Sequence, residues 1–278
     1  MLYINGPARS ISAALLQYAH LSWGEDAIKV KLSRHKGDQD GSRSYDKHVY
    51  ANPFDPVICP FVHLGVKIIC TYKSDNCDNN VFTGANTESK FSKWLKCVLS
   101  TLGETAAFVV GFAAIMLGTH SFRKGAATYG TSFVGGPTTV SVFNRAEWSI
   151  GNVQQSYIFP TESADQMLGR VWSGLRWGDC KFAVLPLHFK SDLVFNDEEW
   201  NLMVPGYQNY PNCFKAVVPY LIALVVHNIG WLRDNLPESH PFFQSRFYTS
   251  GIIERLKSGI ILCYSYCPDS RMSATGNT

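Results

Sequence analysis

Three basic side chains lie within five consecutive positions of the segment THSFRKGAATYGTSF, residues 119–133. They are His120, Arg123 and Lys124. Guanidinium, ammonium and imidazolium groups all donate hydrogen bonds to phosphate oxygens. Small residues follow, which favour a closely packed helix. The segment therefore predicts the start of a helix, and its basic residues have two explanations. They belong to a phosphate-binding site, or they are simply polar and solvated, since a His-x-x-Arg pair arises readily by chance.

Four further residues extend this pair into an ordered set. Arg9 lies at the start of a predicted helix, Lys36 lies at the tip of a predicted hairpin, and Trp148 and Tyr157 follow later in the chain. Taken alone, each has an ordinary structural explanation. The two basic residues fit a solvated surface, Lys36 in particular beside turn residues, and the two aromatic residues fit a core. Their joint order is what favours a catalytic set.

This order resembles the catalytic domain of tyrosine recombinases, the phage-integrase superfamily, over about residues 9–160. Longer strings are more specific. HLSWGEDAIKVKLSRHKGDQDG, HVYANPFDPVICP, GTHSFRKGAATY, NRAEWSIGNVQQSYIF and FAVLPLHF resemble the recombinases of Crypton-type mobile elements of algae and oomycetes. In that group the resemblance continues to MSATG near the end of the chain.

The resemblance implies DNA strand cleavage and rejoining through a 3′-phosphotyrosyl intermediate, as in site-specific recombination or integration of a mobile element. Arg9 and Arg123 would clamp the non-bridging phosphate oxygens, because guanidinium groups are always charged and donate in a planar fork. Tyr157 would be the nucleophile, and Lys36 would be the general acid that protonates the leaving 5′ oxygen.

The resemblance assigns the remaining roles as well. His120 would assist proton transfer or bind phosphate, and Trp148 would donate its indole N–H to a phosphate oxygen where many relatives use His. Lys124, Arg145 and Arg34 are predicted DNA contacts, with an ordinary surface charge as the equal alternative for Lys124 and Arg145. No metal and no cofactor is implied. The expected partner is double-stranded DNA, with self-association on DNA, and the expected location is the nucleus.

Composition is that of a globular protein, with 46% hydrophobic and 13% aromatic residues among 278. The net charge is only +3, but residues 1–160 carry 15 Lys+Arg against 11 Asp+Glu, while the remainder carries 10 against 11. A surface that faces nucleic acid is therefore expected in the first part of the chain.

The expected fold is α+β and mostly helical. It is a tyrosine-recombinase-like catalytic domain with a small antiparallel hairpin sheet over residues 1–165, followed by a helical accessory region over residues 166–278. Apolar periodicity predicts a first helix at 9–21, and alternation predicts a strand at 26–35 with a short returning strand before Pro53.

Further helices are expected along the chain. They are predicted within 56–73 and 89–102, after a cap at Thr138 or Thr139, at 149–159, and at 211–236 with an interruption at Pro219. The polar tail, CPDSRMSATGNT, is expected to be frayed.

Cysteines and apolar runs exclude several classes of protein. The eight cysteines contain no Cys-x-x-Cys pair, so they fit neither a zinc site nor a small disulfide scaffold. The apolar runs at 105–119 and 216–229 fall short of the roughly 18 residues that a membrane-spanning helix needs, and both are predicted to be buried.

Two alternatives remain open beside the recombinase. One is an inactive DNA-binding relic of a mobile element, and the other is a type IB topoisomerase-like enzyme. The family has a core-binding domain and further helices ahead of its first catalytic arginine, whereas Arg9 is preceded by eight residues. The expected state is therefore an N-terminally truncated recombinase. Ser12 also stands where many relatives carry an acid that orients this arginine.

Overall fold

The protein is described from a computed structural model over residues 15–31, 45–75, 79–101, 117–148 and 161–277. An antiparallel sheet lies near the start, with strands β1 (Leu21–Trp23), β2 (Ile28–Val30) and β3 (Lys47–Val49) in that order. Strands β2 and β3 pair as the predicted hairpin requires. The residues between them, 32–44, include Lys36 and lie outside the described residues.

The first predicted helix is wrong over its described part. Tyr18–His20 forms a single 3₁₀ turn, and Leu21 already begins β1. The reason is tertiary pairing, because β1 pairs along its whole length with β2, while the Tyr18 ring packs 4.7 Å from that of Phe214. A local apolar period cannot report such partners. Residues 9–14 lie outside the described residues.

Helices form most of the remaining secondary structure, and the predicted mostly helical α+β class is confirmed. They are α1 (Pro60–Cys70), α2 (Thr87–Thr101), α3 (Thr119–Gly130), α4 (Thr139–Arg145), α5 (Glu162–Trp172), α6 (Asp197–Met203), α7 (Asn212–Lys215), α8 (Val218–His227), α9 (Ile229–Asn235), α10 (Pro241–Gln244), α11 (Arg246–Thr249) and α12 (Ile252–Ser258). Strands β4 (His188–Phe189) and β5 (Ile260–Ile261) form one antiparallel pair, and β6 (Tyr266–Cys267) and β7 (Met272–Ser273) form another.

Local signals explain several of these helices. Pro60 occupies the start of α1, where its missing N–H costs no helical hydrogen bond. Thr138 caps α4, since its hydroxyl oxygen accepts the backbone N–H of Ser141 at 3.2 Å. This confirms one of the two predicted caps. The predicted helix at 149–159 lies outside the described residues.

Helix α8 forms the centre of the core and packs against α1. Its residues 221–226 are all buried, as the apolar run predicts. Pro219 lies in the first turn of α8, so it begins this helix rather than interrupting a longer one, and the next break falls at Asn228. No single helix within the described ranges is long and apolar enough to span a membrane. Two adjacent helical stretches, Asn212–His227 and Ile229–Asn235, together reach the length and apolar composition of a membrane span, and a bend of 63° separates them.

The interior does not divide at residue 165. That boundary falls inside α5, and the largest hydrophobic cluster joins residues of β1, β2 and α1 to residues of α8 and α12. The two predicted domains thus share one core within the described residues. The physical reason is that α8 needs an apolar partner for each face, and α1 supplies one of them.

The tail is folded, so the prediction of a frayed end is wrong over residues 267–277. Strands β6 and β7 pair there, and Thr275 donates its backbone N–H to Asp26 Oδ2 at 3.1 Å. The Thr275 hydroxyl lies 2.6 Å from Asp26 Oδ1. Polar composition suggested solvent, but these polar atoms bond to a buried carboxylate near the start of the chain.

The partner of that carboxylate is Arg170, a fully buried arginine on α5. Its guanidinium forms an ion pair with Asp26 and donates to the carbonyl oxygens of Phe182 and Val184, at 2.8 and 3.0 Å, and of Thr275. The ring of Tyr50 lies 4.4 Å from the guanidinium carbon. A buried charge of this kind is stable only when its hydrogen bonds are satisfied, and here acceptors come from several distant segments.

We expect Asp26→Asn to lower the free energy of unfolding by about 3–5 kcal/mol, because it leaves the buried Arg170 charge uncompensated. Urea unfolding would measure this loss. Glu254→Gln is the matched control, since it removes an exposed ion pair with Lys257 three residues away and should leave stability unchanged. Equal effects of the two substitutions would contradict a structural role for the buried pair.

A second expectation concerns the contact of α5 with β3. A Cβ atom on Gly169 would lie 2.5 Å from the backbone oxygen of His48, so Gly169→Ala must push the helix away from the strand and destabilise the protein. Gly125 in α3 has nothing within 4 Å of the same position. Gly125→Ala should therefore stabilise by up to about 1 kcal/mol through helix propensity. Thermal unfolding of both variants should give opposite signs.

Candidate functional site

Helix α3 carries the three basic residues of the candidate site in its first two turns. The helix begins at Thr119, where the backbone N–H of Ser121 donates to the Gly118 carbonyl at 2.9 Å. His120 and Lys124 are exposed, whereas Arg123 is half-buried. Because residues three apart are neighbours on a helix, His120 and Arg123 share one face.

Arg123 and Trp148, two of the predicted site residues, lie in contact. The Arg123 guanidinium carbon lies 5.2 Å from the centre of the Trp148 ring, and the guanidinium also donates to the carbonyl oxygen of Ala146. The Phe143 ring packs against the Trp148 ring, and the two ring centres lie 5.5 Å apart. Three predicted residues, His120, Arg123 and Trp148, therefore lie on two neighbouring segments.

An ion pair anchors the segment that carries Trp148. Glu147 adopts a left-handed backbone conformation, with φ at 56°, and its carboxylate pairs with Lys47 of β3. Both side chains are largely buried. A non-glycine residue in this conformation is held there by its surroundings. The Lys47 contact thus fixes the turn after α4 and with it the position of the next residue, Trp148.

Trp172 at the end of α5 positions α3. Its indole N–H donates to the Ala126 carbonyl at 2.7 Å, and it lies in a buried cluster with Ala126, Val142 and Leu168. This contact attaches the helix of the basic residues to the same α5 that carries Arg170. The basic face of α3 is therefore supported by the protein interior.

An apolar cavity of about 550 Å³ borders the neighbouring face of α3. Leu95 and Leu99 of α2, Phe122 and Tyr129 of α3, and Trp172 contribute to its lining. Such a lining offers few donors to a phosphate, so the cavity and the basic face of α3 are chemically distinct surfaces.

Arg145 is buried, so the predicted DNA contact at this position needs correction. It is 1% exposed, its guanidinium pairs with Asp165 Oδ2 at 2.9 Å, and it donates to the His48 carbonyl at 2.6 Å. The guanidinium carbon also lies 5.2 Å from the Trp172 ring centre. The physical reason is that α4 packs its last turn against α5, which directs Arg145 inward. Its role is structural.

Sequence reasoning missed the polar group around Arg145. His48 donates its backbone N–H to Asp165 Oδ2 at 2.8 Å, and its Nδ1 lies 2.9 Å from the same oxygen. His48 Nε2 lies 3.2 Å from Glu162 Oε1, which also pairs with Lys29 at 2.8 Å. The one available signal was the acidic first turn of α5, which holds both Glu162 and Asp165.

The surroundings of Asp165 shift its pKa. Burial alone would raise the pKa of this carboxyl, but the charge of Arg145 and the hydrogen bonds from His48 outweigh burial and hold it below its usual range. Asp165 is therefore an ionised structural partner of Arg145. The network fixes α4 and α5 together beside the segment that carries Trp148.

The other predicted site residues lie outside the described residues. They are Arg9, Arg34, Lys36 and Tyr157. Among the residues that the structure describes, no three His, Cys, Asp or Glu side chains are grouped so that they could hold a metal ion. The described part of the site is thus a cationic face with an indole ring, an arrangement suited to binding an anion.

Comparison of the chain with protein-family models, with curated proteins and with solved structures found no match in any of the three.

The Asp165 network makes a pH-dependent prediction. Because the folded pKa of Asp165 is depressed, the unfolded chain binds more protons at acidic pH, and stability falls as pH falls. Asp165→Asn should cost about 3–5 kcal/mol at pH 7 by leaving Arg145 uncompensated. The difference from the wild type should be constant above about pH 5 and shrink below about pH 4, where the unfolded carboxyl titrates. Urea unfolding across this range tests it, and a constant difference down to pH 3 would contradict a depressed pKa.

Proposed function

We propose that the protein cleaves and rejoins DNA strands through a phosphotyrosyl intermediate, as a tyrosine recombinase of a mobile element. The contact of Arg123 with Trp148, one helical turn from His120, is the observation that carries the proposal. These three residues belong to an ordered set that the sequence alone nominated, and two of them are 25 positions apart in the chain. Their proximity supports a common site.

The chemistry begins with binding of the scissile phosphate. Arg123 and Arg9 donate to its non-bridging oxygens, where charge increases as the nucleophile approaches. The Trp148 ring centre lies 5.2 Å from the Arg123 guanidinium carbon, within the range of a cation–π contact, and this contact helps to hold the guanidinium in place. The hydrogen bond to the Ala146 carbonyl further fixes the direction of the fork.

Bond exchange then proceeds at phosphorus. The Tyr157 oxygen attacks and forms the 3′-phosphotyrosyl bond, and its proton passes to a nearby acceptor such as His120. The bond from phosphorus to the 5′ oxygen breaks, and Lys36 gives a proton to that oxygen. His120 assists proton transfer or binds the phosphate. The phosphotyrosyl bond conserves the energy needed for rejoining, so the reverse attack by a 5′ hydroxyl completes strand exchange. Every step uses side chains alone.

DNA binding outside the scissile phosphate involves Lys124 and Arg34 in this proposal. Lys124 is exposed one position after Arg123, so it can contact a neighbouring phosphate of the same strand. Arg145 takes no part, since its guanidinium is buried against Asp165. The cationic contribution of α3 therefore comes from its first two turns.

The expected result with a nicked suicide DNA substrate is a covalent protein–DNA adduct that Tyr157→Phe abolishes. Tyr129→Phe is the matched control, because Tyr129 is an exposed tyrosine on α3 and has no role in the mechanism. Arg123→Ala should slow adduct formation about 100- to 1,000-fold, comparable with loss of an oxyanion-hole donor.

Three outcomes would overturn parts of the proposal. An adduct that persists in Tyr157→Phe would show that the nucleophile is wrong. Salt-sensitive DNA binding without any adduct would favour an inactive DNA-binding relic. An adduct accompanied by relaxation of supercoils, without synapsis of two duplexes, would favour a type IB topoisomerase-like enzyme.

A further inference from the structure

Two cysteines and a histidine lie together at the opposite end of the sequence from the predicted catalytic residues. Cys267 of β6 is buried, and its sulfur lies 3.4 Å from Nε2 of His188 on β4. Cys263, which is half-buried, packs against the same small cluster as Cys267. None of these residues belongs to the proposed DNA site. The group therefore requires an explanation of its own.

The second nitrogen of His188 fixes how this histidine faces the thiol. Nδ1 lies 3.0 Å from the carbonyl oxygen of Pro186. A carbonyl oxygen can only accept, so Nδ1 carries the proton and donates it to Pro186. In the neutral ring, Nε2 then presents its lone pair to Cys267 and can take the proton of the thiol. This is the arrangement that converts a cysteine into a nucleophilic thiolate.

Further donors surround the Cys267 sulfur. Polar groups of Ser270 and the thiol of Cys263 favour the ionised form of Cys267. Burial opposes ionisation, but these donors together with His188 lower the pKa of Cys267 to about 6. Cys267 is therefore the more readily ionised of the two cysteines.

Cys263 behaves in the opposite way. Burial and the adjacent Cys267 raise the pKa of Cys263 to about 11, so it stays a thiol next to the thiolate. Asp269 adds a further negative charge on the same side. The titratable groups that surround Cys267 are thus His188 from β4, Cys263 and Asp269 from the adjoining segments, and Tyr220 of α8, which packs against the same cluster. A reactive thiolate beside a protonated thiol is the division of roles found in redox-active cysteine pairs.

We propose that Cys267 and Cys263 form a redox site that reacts with hydroperoxides, with Cys267 as the attacking and Cys263 as the resolving cysteine. The Cys267 thiolate attacks one oxygen of the peroxide, the O–O bond breaks, and the products are a Cys267 sulfenic acid and, after protonation, water. The Cys263 thiol then attacks the sulfenic sulfur, forms the disulfide and releases a second water. Two thiols lose two electrons in all, and one hydrogen peroxide is reduced to two waters.

The environment favours a small oxidant over a bulky electrophile. Cys267 is only 1% exposed, whereas its neighbours in the turn, Asp269 and Ser270, are exposed. A hydroperoxide is small enough to reach a sulfur that lies one residue layer beneath the surface. Once Cys267 is a neutral sulfenic acid, the negative charge that disfavours ionisation of Cys263 disappears, so the resolving step becomes easier.

The first test is a thiolate titration that needs no access of a reagent. The far-ultraviolet absorbance of the thiolate, measured against pH in the wild type and in Cys267→Ser, should differ by one group that titrates near pH 6. A difference that appears only above pH 8 would overturn the proposal. His188→Gln should move the midpoint upward, while Cys180→Ser, at an exposed cysteine, should leave it unchanged.

The second test follows the products. Under limiting hydrogen peroxide, mass spectrometry of peptides should find a Cys263–Cys267 disulfide that a thiol reductant reverses. In Cys263→Ser, a sulfenic acid should instead accumulate at Cys267, detected by mass spectrometry of the denatured protein as the addition of one oxygen atom, and His188→Gln should slow this step at least 10-fold at pH 6.5. Oxidation of the exposed Cys97 or Cys180 before Cys267, or the absence of the intramolecular disulfide, would overturn the proposal.

Discussion

The buried ion pair of Arg170 and Asp26 is the interaction on which the described structure depends most. Arg170 has no exposed surface, and its acceptors come from the turn between β1 and β2, from the segment at 182–184 and from the tail at Thr275. Transfer of a guanidinium into the interior costs several kcal/mol unless every donor finds an acceptor. The segments that surround it have little regular structure of their own. These segments are therefore held in place because the Arg170 donors need their acceptors. Helix α5, which carries Arg170, thus positions Asp26 near the start of the chain and Thr275 near its end.

The same helix supports the candidate site through separate contacts. Asp165, five positions before Arg170 on α5, holds Arg145 and His48, and Trp172 at its end bonds to Ala126 of α3. The first contact fixes α4, which precedes Trp148, and the second fixes α3, which carries Arg123. The Arg123–Trp148 contact is thus set by two elements that both rest on α5. The buried ion pair of Asp165 with Arg145 and the hydrogen bond from Trp172 to Ala126, both made by α5, together set the relative position of α4 and α3.

Sequence reasoning succeeded where the information is local. The periodicity of α1 and α2, the cap at Thr138 and the alternation of β2 all act within a few residues, and the structure confirms them. It failed where a distant partner decides. The helix predicted to end at Leu21 is replaced by a 3₁₀ turn and the start of β1, because β1 pairs with β2. The tail predicted to be frayed is folded, because Thr275 bonds to Asp26, 249 positions away. Arg145 shows the same limit within the site. A basic residue on a short helix is expected to be exposed to solvent, but Arg145 is buried because it pairs with Asp165 of α5. The contact of Arg123 with Trp148 is set by tertiary packing, which no physical rule of sequence spacing supplies.

These burials change how the charge of the protein relates to DNA. The first 160 residues have a formal excess of positive charge, but Lys47, Lys73 and Arg145 are all buried, and the Lys47 and Arg145 charges are paired with Glu147 and Asp165. A buried and paired cation contributes little to the field outside the protein. The overall net charge of +3 is too small to concentrate DNA by long-range attraction. In the proposed function, affinity for a phosphate would therefore arise from short-range geometry, which makes the contact of Arg123 with Trp148 more important than the number of basic residues around it. Such a site would hold one phosphate more firmly than the rest of the duplex, so register on DNA would depend on contacts made beyond the first turns of α3.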